Sequence, residues 1–265
     1  MAITTQKGAP AANDVVQGKF ALVRFVRCDA TAATPVSWTE VTGIQSFNIE
    51  KTNWGYTKKA FQFGGGDEAY EKKSDPTWSG SITFLNGEGY SQLAAMQGLT
   101  WTTAGSVAIP AYRENDDPEF ILEVIARQDD NLTHMYSHVV PDVIIDDFPM
   151  SQVLEDSEWT LDFHTRRFPF ILCSGAEMVY DVFPGTGSTT SFTLTSTPLT
   201  LNTATNYKYL NYDAMYYVKE QVTGATAGTL MRSGYSNTNE TVTATTAPAS
   251  QAKVQILYAK TTPLI

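Results

Sequence analysis

Apolar and polar residues alternate with a period of two in three segments of this chain, and that period predicts half-buried strands. In WTEVTGIQSFNIEK (38–51), Phe47 and Ile49 fall on one face, and Ser46, Asn48 and Glu50 on the other. TWSGSITFL (77–85) repeats the pattern, with Trp78, Ile82 and Phe84 against Thr77, Ser79, Ser81 and Thr83. SEWTLDFHTRR (157–167) sets Trp159, Leu161 and Phe163 against Glu158, Thr160, Asp162 and His164. FALVRFVRC (20–28) is a further strand. EFILEVIAR (119–127) and LTHMYSHVV (132–140) flank a Gln-Asp-Asp-Asn turn and read as a hairpin, with a mostly apolar strand, PDVIIDDFPM (141–150), after it. One segment has a helical pattern: NGEGYSQLAAMQG (86–98), with Asn86 as N-cap, Gly98 as stop and Tyr90, Leu93 and Ala94 as a short apolar stripe. The predicted fold is mainly all-β, a β-sandwich or small barrel with one short α-helix.

Between the second and third strands lies NWGYTKKAFQFGGGDEAYEKKSDPTW, which reads as a long loop over 53–77. Hairpin loops take two to five residues, and structureless loops beyond about 12–15 are uncommon unless they are functional or disordered. Gly64, Gly65 and Gly66 give the middle of this insert wide backbone freedom.

The polar faces are unusual in composition. Ser46, Asn48, Glu50, Ser79, Ser81, Thr83, Glu158, Thr160 and Asp162 are hydroxyls, an amide and carboxylates, without the long mixed-sign side chains of a common solvated face. Charge is also unevenly spread. Residues 1–172 hold 13 Lys/Arg and 23 Asp/Glu, and residues 173–265 hold 5 and 5, so the net −10 belongs to the first part. Beyond Phe170 the chain turns rich in Thr, Ser, Gly and Tyr. These shifts place a boundary near Ser174, giving an arm (1–18), a β domain (19–174) and a small C-terminal β domain (175–265). The acidic balance disfavours a protein that grips nucleic-acid phosphates.

Dedicated chemistry is weak. Gly64-Gly65-Gly66-Asp67-Glu68 lacks the Gly-Lys-Ser/Thr ending of a phosphate loop. The pairs Asp116-Asp117, Asp129-Asp130 and Asp146-Asp147 could serve a glycosidase but sit beside turns, where carboxylates are usually solvated. His134 and His138 share a strand face without a third metal ligand at useful spacing. No catalytic, cofactor or metal site is expected. Cys28 and Cys173 are expected to be buried thiols. No stretch reaches the roughly 18 apolar residues of a membrane helix, and the N-terminus lacks the apolar core of a signal peptide.

The order strand (VTGIQSFNIEK), charged insert, strand (DPTWSGSITFL), helix (GEGYSQLAAMQG), hairpin, alternating strand (SEWTLDFHTRR) resembles the tail tube (major tail) proteins of long-tailed bacteriophages, relatives of the tubes of contractile injection systems. FPGTGSTTSFTLTSTPL (183–199), YVKEQVTG (217–224) and the segment 235–260 resemble a small β domain recurrent in phage virion proteins. The resemblance implies a structural virion protein with no enzyme activity and no cofactor, made in the host cytoplasm and residing in the tail. It implies homohexameric rings stacked into a tube that conducts DNA without binding it specifically. Its partners would be copies of itself, a tape measure protein and tail-end proteins. The insert would reach the neighbouring ring through Trp54, Tyr56, Lys58, Lys59, Phe61, Phe63, Asp67, Glu68, Tyr70, Glu71, Lys72 and Lys73. The polar faces would line the lumen, and the C-terminal domain would decorate the exterior. A virion adhesin that binds carbohydrate, using Tyr207, Tyr209 and Tyr212, is the alternative expectation.

Overall fold

The computed structural model describes residues 22–41, 44–52, 56–63, 66–73, 77–84, 119–127, 134–147, 159–165, 167–173, 176–199, 215–223, 225, 228–231 and 233–261. Those residues form β-strands and connecting segments, and the fold is all-β. The strands are β1 (Leu22–Arg27), β2 (Thr39–Val41), β3 (Ile44–Thr52), β4 (Tyr56–Phe63), β5 (Gly66–Lys73), β6 (Thr77–Phe84), β7 (Phe120–Arg127), β8 (His134–Asp147), β9 (Trp159–Thr165) and β10 (Phe170–Cys173). Next come β11 (Ala176–Pro184), β12 (Ser191–Thr193), β13 (Met215–Gln221), β14 (Thr229–Leu230), β15 (Tyr235–Thr238), β16 (Thr241–Ala244) and β17 (Lys253–Thr261). The arm at 1–18 and the helix expected at 86–98 lie outside the described residues.

One antiparallel sheet has the order β2-β1-β7-β8-β9-β6-β3, with β10 also paired to β8. Its two terminal strands are consecutive in sequence. Only Thr42 and Gly43 separate Val41 from Ile44, and three Cα steps span at most about 11 Å. The sheet must therefore roll until its first and last strands meet at that corner, although β2 and β3 do not pair. Apolar side chains inside the roll come from every strand of the path: Val41, Val23, Phe25, Leu122, Val143, Leu161, Phe163, Ile82 and Phe84 are buried there, with Phe47 and Ile49 against them. Burying each such side chain contributes about 1.5–3 kcal/mol, which is what closes the roll.

Two expectations are corrected. The strands expected separately at 132–140 and 141–150 are one strand, β8, of 14 residues. Pro141 does not end it: Asp142 takes a left-handed conformation (φ 52°), and the ladder shifts register there, so the strand bends and continues. Its first half pairs with β7 and β10, and its second half with β9. The insert is likewise not a structureless loop. Its residues form the antiparallel hairpin β4–β5, in register from Tyr56 opposite Lys73 to Phe63 opposite Gly66. Two residues, Gly64-Gly65, link the strands, and Gly-Gly is a strong two-residue hairpin signal.

After β10 the chain enters a second pair of sheets, β11-β17-β13-β14 and β12-β16-β15. They face each other across Val179, Val218, Val254, Ile256, Tyr258, Phe192 and Val242, making a small sandwich. The other side of the four-stranded sheet packs on the outside of the roll. Met178, Tyr180, Tyr217 and Leu257 meet Val26, Ile121, Val139 and Leu172 in one apolar cluster. Further bonds join the two parts. The Val36 N–H donates to the Tyr180 carbonyl (2.8 Å), and the Val182 N–H to the Ala33 carbonyl (2.9 Å).

Candidate functional site

The outer face of β3, β6 and β9 carries the polar residues singled out from the alternation, aligned in rows by the register. Ser46 lies opposite Thr83 and Thr83 opposite Thr160; Asn48 opposite Ser81 and Ser81 opposite Asp162; Glu50 opposite Ser79 and Ser79 opposite His164. Their hydroxyls bond both within a row and between neighbouring rows. Thr83 and Thr160 are 3.2 Å apart, and Thr52 bonds Ser79 at 3.0 Å. Ser46, Asn48, Glu50, Thr160 and Asp162 are exposed. Glu158 lies outside the described residues, as does Trp54.

β8 extends this face. After its bend, Ile144 lies opposite His164, and the Asp146 carboxylate hydrogen-bonds His164 Nδ1. A shallow open groove results, lined by Asn48, Glu50, Ser79, Gly80, Ser81, Asp146, Asp162 and Phe163. It presents three carboxylates and no Lys or Arg. Alternation within β9 reveals Asp162; only the register across four strands, β3, β6, β9 and β8, joins it to Glu50 and Asp146. Gly80 makes the tight packing beneath the groove possible. A Cβ there would stand 2.3 Å from the Asn48 carbonyl oxygen and 2.5 Å from the Phe163 ring.

The insert residues meet across the hairpin ladder. Lys58 is opposite Glu71, Lys59 opposite Tyr70, Phe61 opposite Glu68, and Thr57 opposite Lys72. The hairpin comes after β3 and before β6, so it springs from the two strands that carry most of the polar rows.

On a different side of the roll, where the sandwich docks, lies a buried set of charges that sequence reasoning missed. Glu123 is fully buried and accepts from Arg24 Nη2 (2.5 Å), the Ser137 hydroxyl (2.9 Å) and the Met178 N–H (3.4 Å). Burial raises its carboxyl above the usual range against the pull of Arg24. Lys219, 1% exposed, donates to Asp142 (2.5 Å) and Glu119 (3.0 Å). Burial by itself would lower the Lys219 ammonium; Asp142 and Glu119 outweigh it and hold the group above its ordinary value. Arg167 closes the cluster on Asp142 at 2.8 Å.

The remaining candidates resolve plainly. Cys28, Glu119 and Asp142 bring potential ligand atoms within 4.8 Å of one another, but the Lys219 ammonium already serves both carboxylates as their cation. Cys28 is a buried free thiol pushed up by burial, the reverse of what a reactive cysteine needs. His138 packs against the Phe47 ring (centroids 6.2 Å apart), and burial lowers its pKa. Asp116, Asp117, Asp129, Asp130, Tyr207, Tyr209 and Tyr212 lie outside the described residues. No described helix is long and apolar enough to cross a membrane.

The sequence matches no protein-family model and no curated protein. Among solved structures, a chain of the six-fold symmetrised anti-feeding prophage baseplate is similar over 58% of this chain and 92% of its own, at 9% identity and a TM-score of 0.34. A chain of the cap that terminates the anti-feeding prophage tube is similar over 66% of this chain and all of its own, at 10% identity and a TM-score of 0.32. Scores this low fix no function.

Proposed function

We propose that the protein is a structural subunit of a phage tail tube, assembled as homohexameric rings stacked into a conduit for DNA. The observation that carries this reading is the in-register face of β3, β6 and β9, extended by β8, with hydroxyls in rows and Glu50, Asp162 and, from β8, Asp146 among them. Facing a channel, such a wall repels phosphates and holds water, so DNA passes without the counterion release that makes basic surfaces sticky. The sandwich docks on another side of the roll, which supports an outward position for it when the polar face points inward.

A second feature supports self-assembly. Among the described residues β3 pairs on one edge only, with β6, and is nine residues long. A long open edge invites pairing with another chain, and a ring of subunits satisfies it by joining sheets. The hairpin β4–β5 then serves as the inter-ring arm. The role is structural, with no cofactor; the partners are further copies, a tape measure protein and tail-end proteins, and the place is the virion tail.

Electron microscopy of the purified protein tests the reading. Rings or hollow filaments are expected, together with their loss on deletion of residues 56–73 while the far-ultraviolet circular dichroism of the remaining β structure persists. A protein that stays monomeric at high concentration, or filaments that survive the deletion, would overturn the assignment.

A further inference from the structure

Lys219 sits on β13 in the C-terminal sandwich, yet its ammonium ends inside the first sheet, on a backbone position that the roll depends on. Asp142 is the left-handed residue where β8 bends. Its carboxylate is 6% exposed and is held from two sides, by Lys219 at 2.5 Å and Arg167 at 2.8 Å. Non-glycine residues adopt positive φ at a cost, and such a conformation persists when its surroundings over-determine it. Adjacent bonds reinforce the same bend. The Thr165 hydroxyl donates to the Pro141 carbonyl at 2.6 Å and accepts from the Arg167 N–H at 3.0 Å.

The bend sets the later course of the strand. Past Asp142, β8 leaves the region paired to β10, runs beside β9, and brings Ile144 and Asp146 to the polar face, where Asp146 meets His164. We infer that Lys219 is a positioning residue which couples the two parts of the molecule: by gripping Asp142 from the C-terminal sandwich, it sets the bend of β8 and thereby the edge of the polar groove. The sandwich is then more than an appendage, because the geometry of the groove depends on how the sandwich is seated. The inference stands whether or not the groove lines a tube.

Amide hydrogen exchange on the full chain tests this, together with the imidazole signals of His164. Lys219→Met keeps the aliphatic stem and removes the ammonium. The expected result is exchange at 144–147 faster by about tenfold or more, with displaced His164 imidazole chemical shifts, while the far sheet β12-β16-β15 changes little. Asp142→Gly provides a second route without touching the buried lysine. It relieves the backbone cost but removes the grip, and it should loosen 144–147 in the same way. Asp142→Asn tolerates the left-handed conformation, but its single amide oxygen can accept from only one of Lys219 and Arg167, so exchange at 144–147 between the native and the Asp142→Gly rates is expected. Uniformly faster exchange over all strands in Lys219→Met would reduce Lys219 to a general stability residue and overturn the inference. So would native exchange at 144–147 in Asp142→Gly.

Discussion

Removing the Arg24 guanidinium should expose how much the seam between the two parts depends on one buried carboxylate. In Arg24→Met, Glu123 keeps the Ser137 hydroxyl and the Met178 N–H but loses both guanidinium contacts, at 2.5 and 2.8 Å. Glu123 has no exposed surface, so the charge cannot be rehydrated without opening the seam. Breaking a buried pair from one side costs about 3–5 kcal/mol. The stacking of Arg24 over Trp38, 4.6 Å from the ring centroid, adds roughly 0.5–1 kcal/mol. Its bond to the Met178 carbonyl (3.1 Å) is lost as well. The pH dependence provides an independent check. Burial already raises the folded-state carboxyl above the unfolded value, and losing Arg24 raises it further. The folded state then holds a proton that the unfolded chain releases. Stability in this variant therefore rises as pH falls from neutrality towards the ordinary carboxylate range, by up to about 1.4 kcal/mol per pH unit. Urea unfolding followed by tryptophan fluorescence and far-ultraviolet circular dichroism, from pH 7.5 to 5, measures both effects. Arg24→Met with Glu123→Gln should recover roughly 2 kcal/mol of the loss at pH 7.5, since a neutral amide leaves no buried charge. A loss below about 1 kcal/mol, a deficit that grows on acidification, or a double variant no better than the single one would refute the reasoning.

Other consequences can be checked separately. Gly80→Ala should lower the thermal midpoint by several degrees, a cost of roughly 1–3 kcal/mol, because the new methyl meets a backbone oxygen that cannot turn aside; an unchanged midpoint would mean β3 and β6 can part freely. Stability should fall steadily above about pH 9. The Cys28, Tyr180, Tyr217 and Tyr258 protons and the Lys219 proton are all held more tightly in the folded state than in the unfolded one, so each group's contribution fades as pH rises past its ordinary value. Denaturation midpoints that stay flat to pH 11 would contradict that. Ser81→Lys, in the middle row of the polar face, should change stability by less than about 0.5 kcal/mol, yet give assemblies that retain DNA at low salt and release it as salt rises; assemblies that ignore DNA in both forms would remove the electrostatic argument for the wall.

The polar rows were legible because strand alternation is a local property. Ser79, Ser81 and Thr83 declare a common face from their spacing alone, and no partner needs to be known. Which rows they join is a pairing question, and Asp146 entered the groove only because β8 bends at Asp142. The hairpin β4–β5 was hidden by its composition. Lys and Glu are depleted in strands, so TKKAF and DEAYEKK read as loop, although Gly64-Gly65 carried a turn signal that could have been weighed. Pro141 misled in the other direction, since proline inside an apolar run normally argues for a break.

Period-two patterning by itself determined that this chain is a β protein, which faces of three strands are polar, and that the net negative charge resides in the first two thirds. Each of these depends on residues within a few positions of one another. Only the tertiary structure decided that the first sheet rolls until its ends meet, that the C-terminal sandwich shares an apolar core with it, and that Lys219 finds Asp142 at a separation of 77 residues. A buried charge is tolerable only beside its partner, and no local pattern encodes a partner that distant.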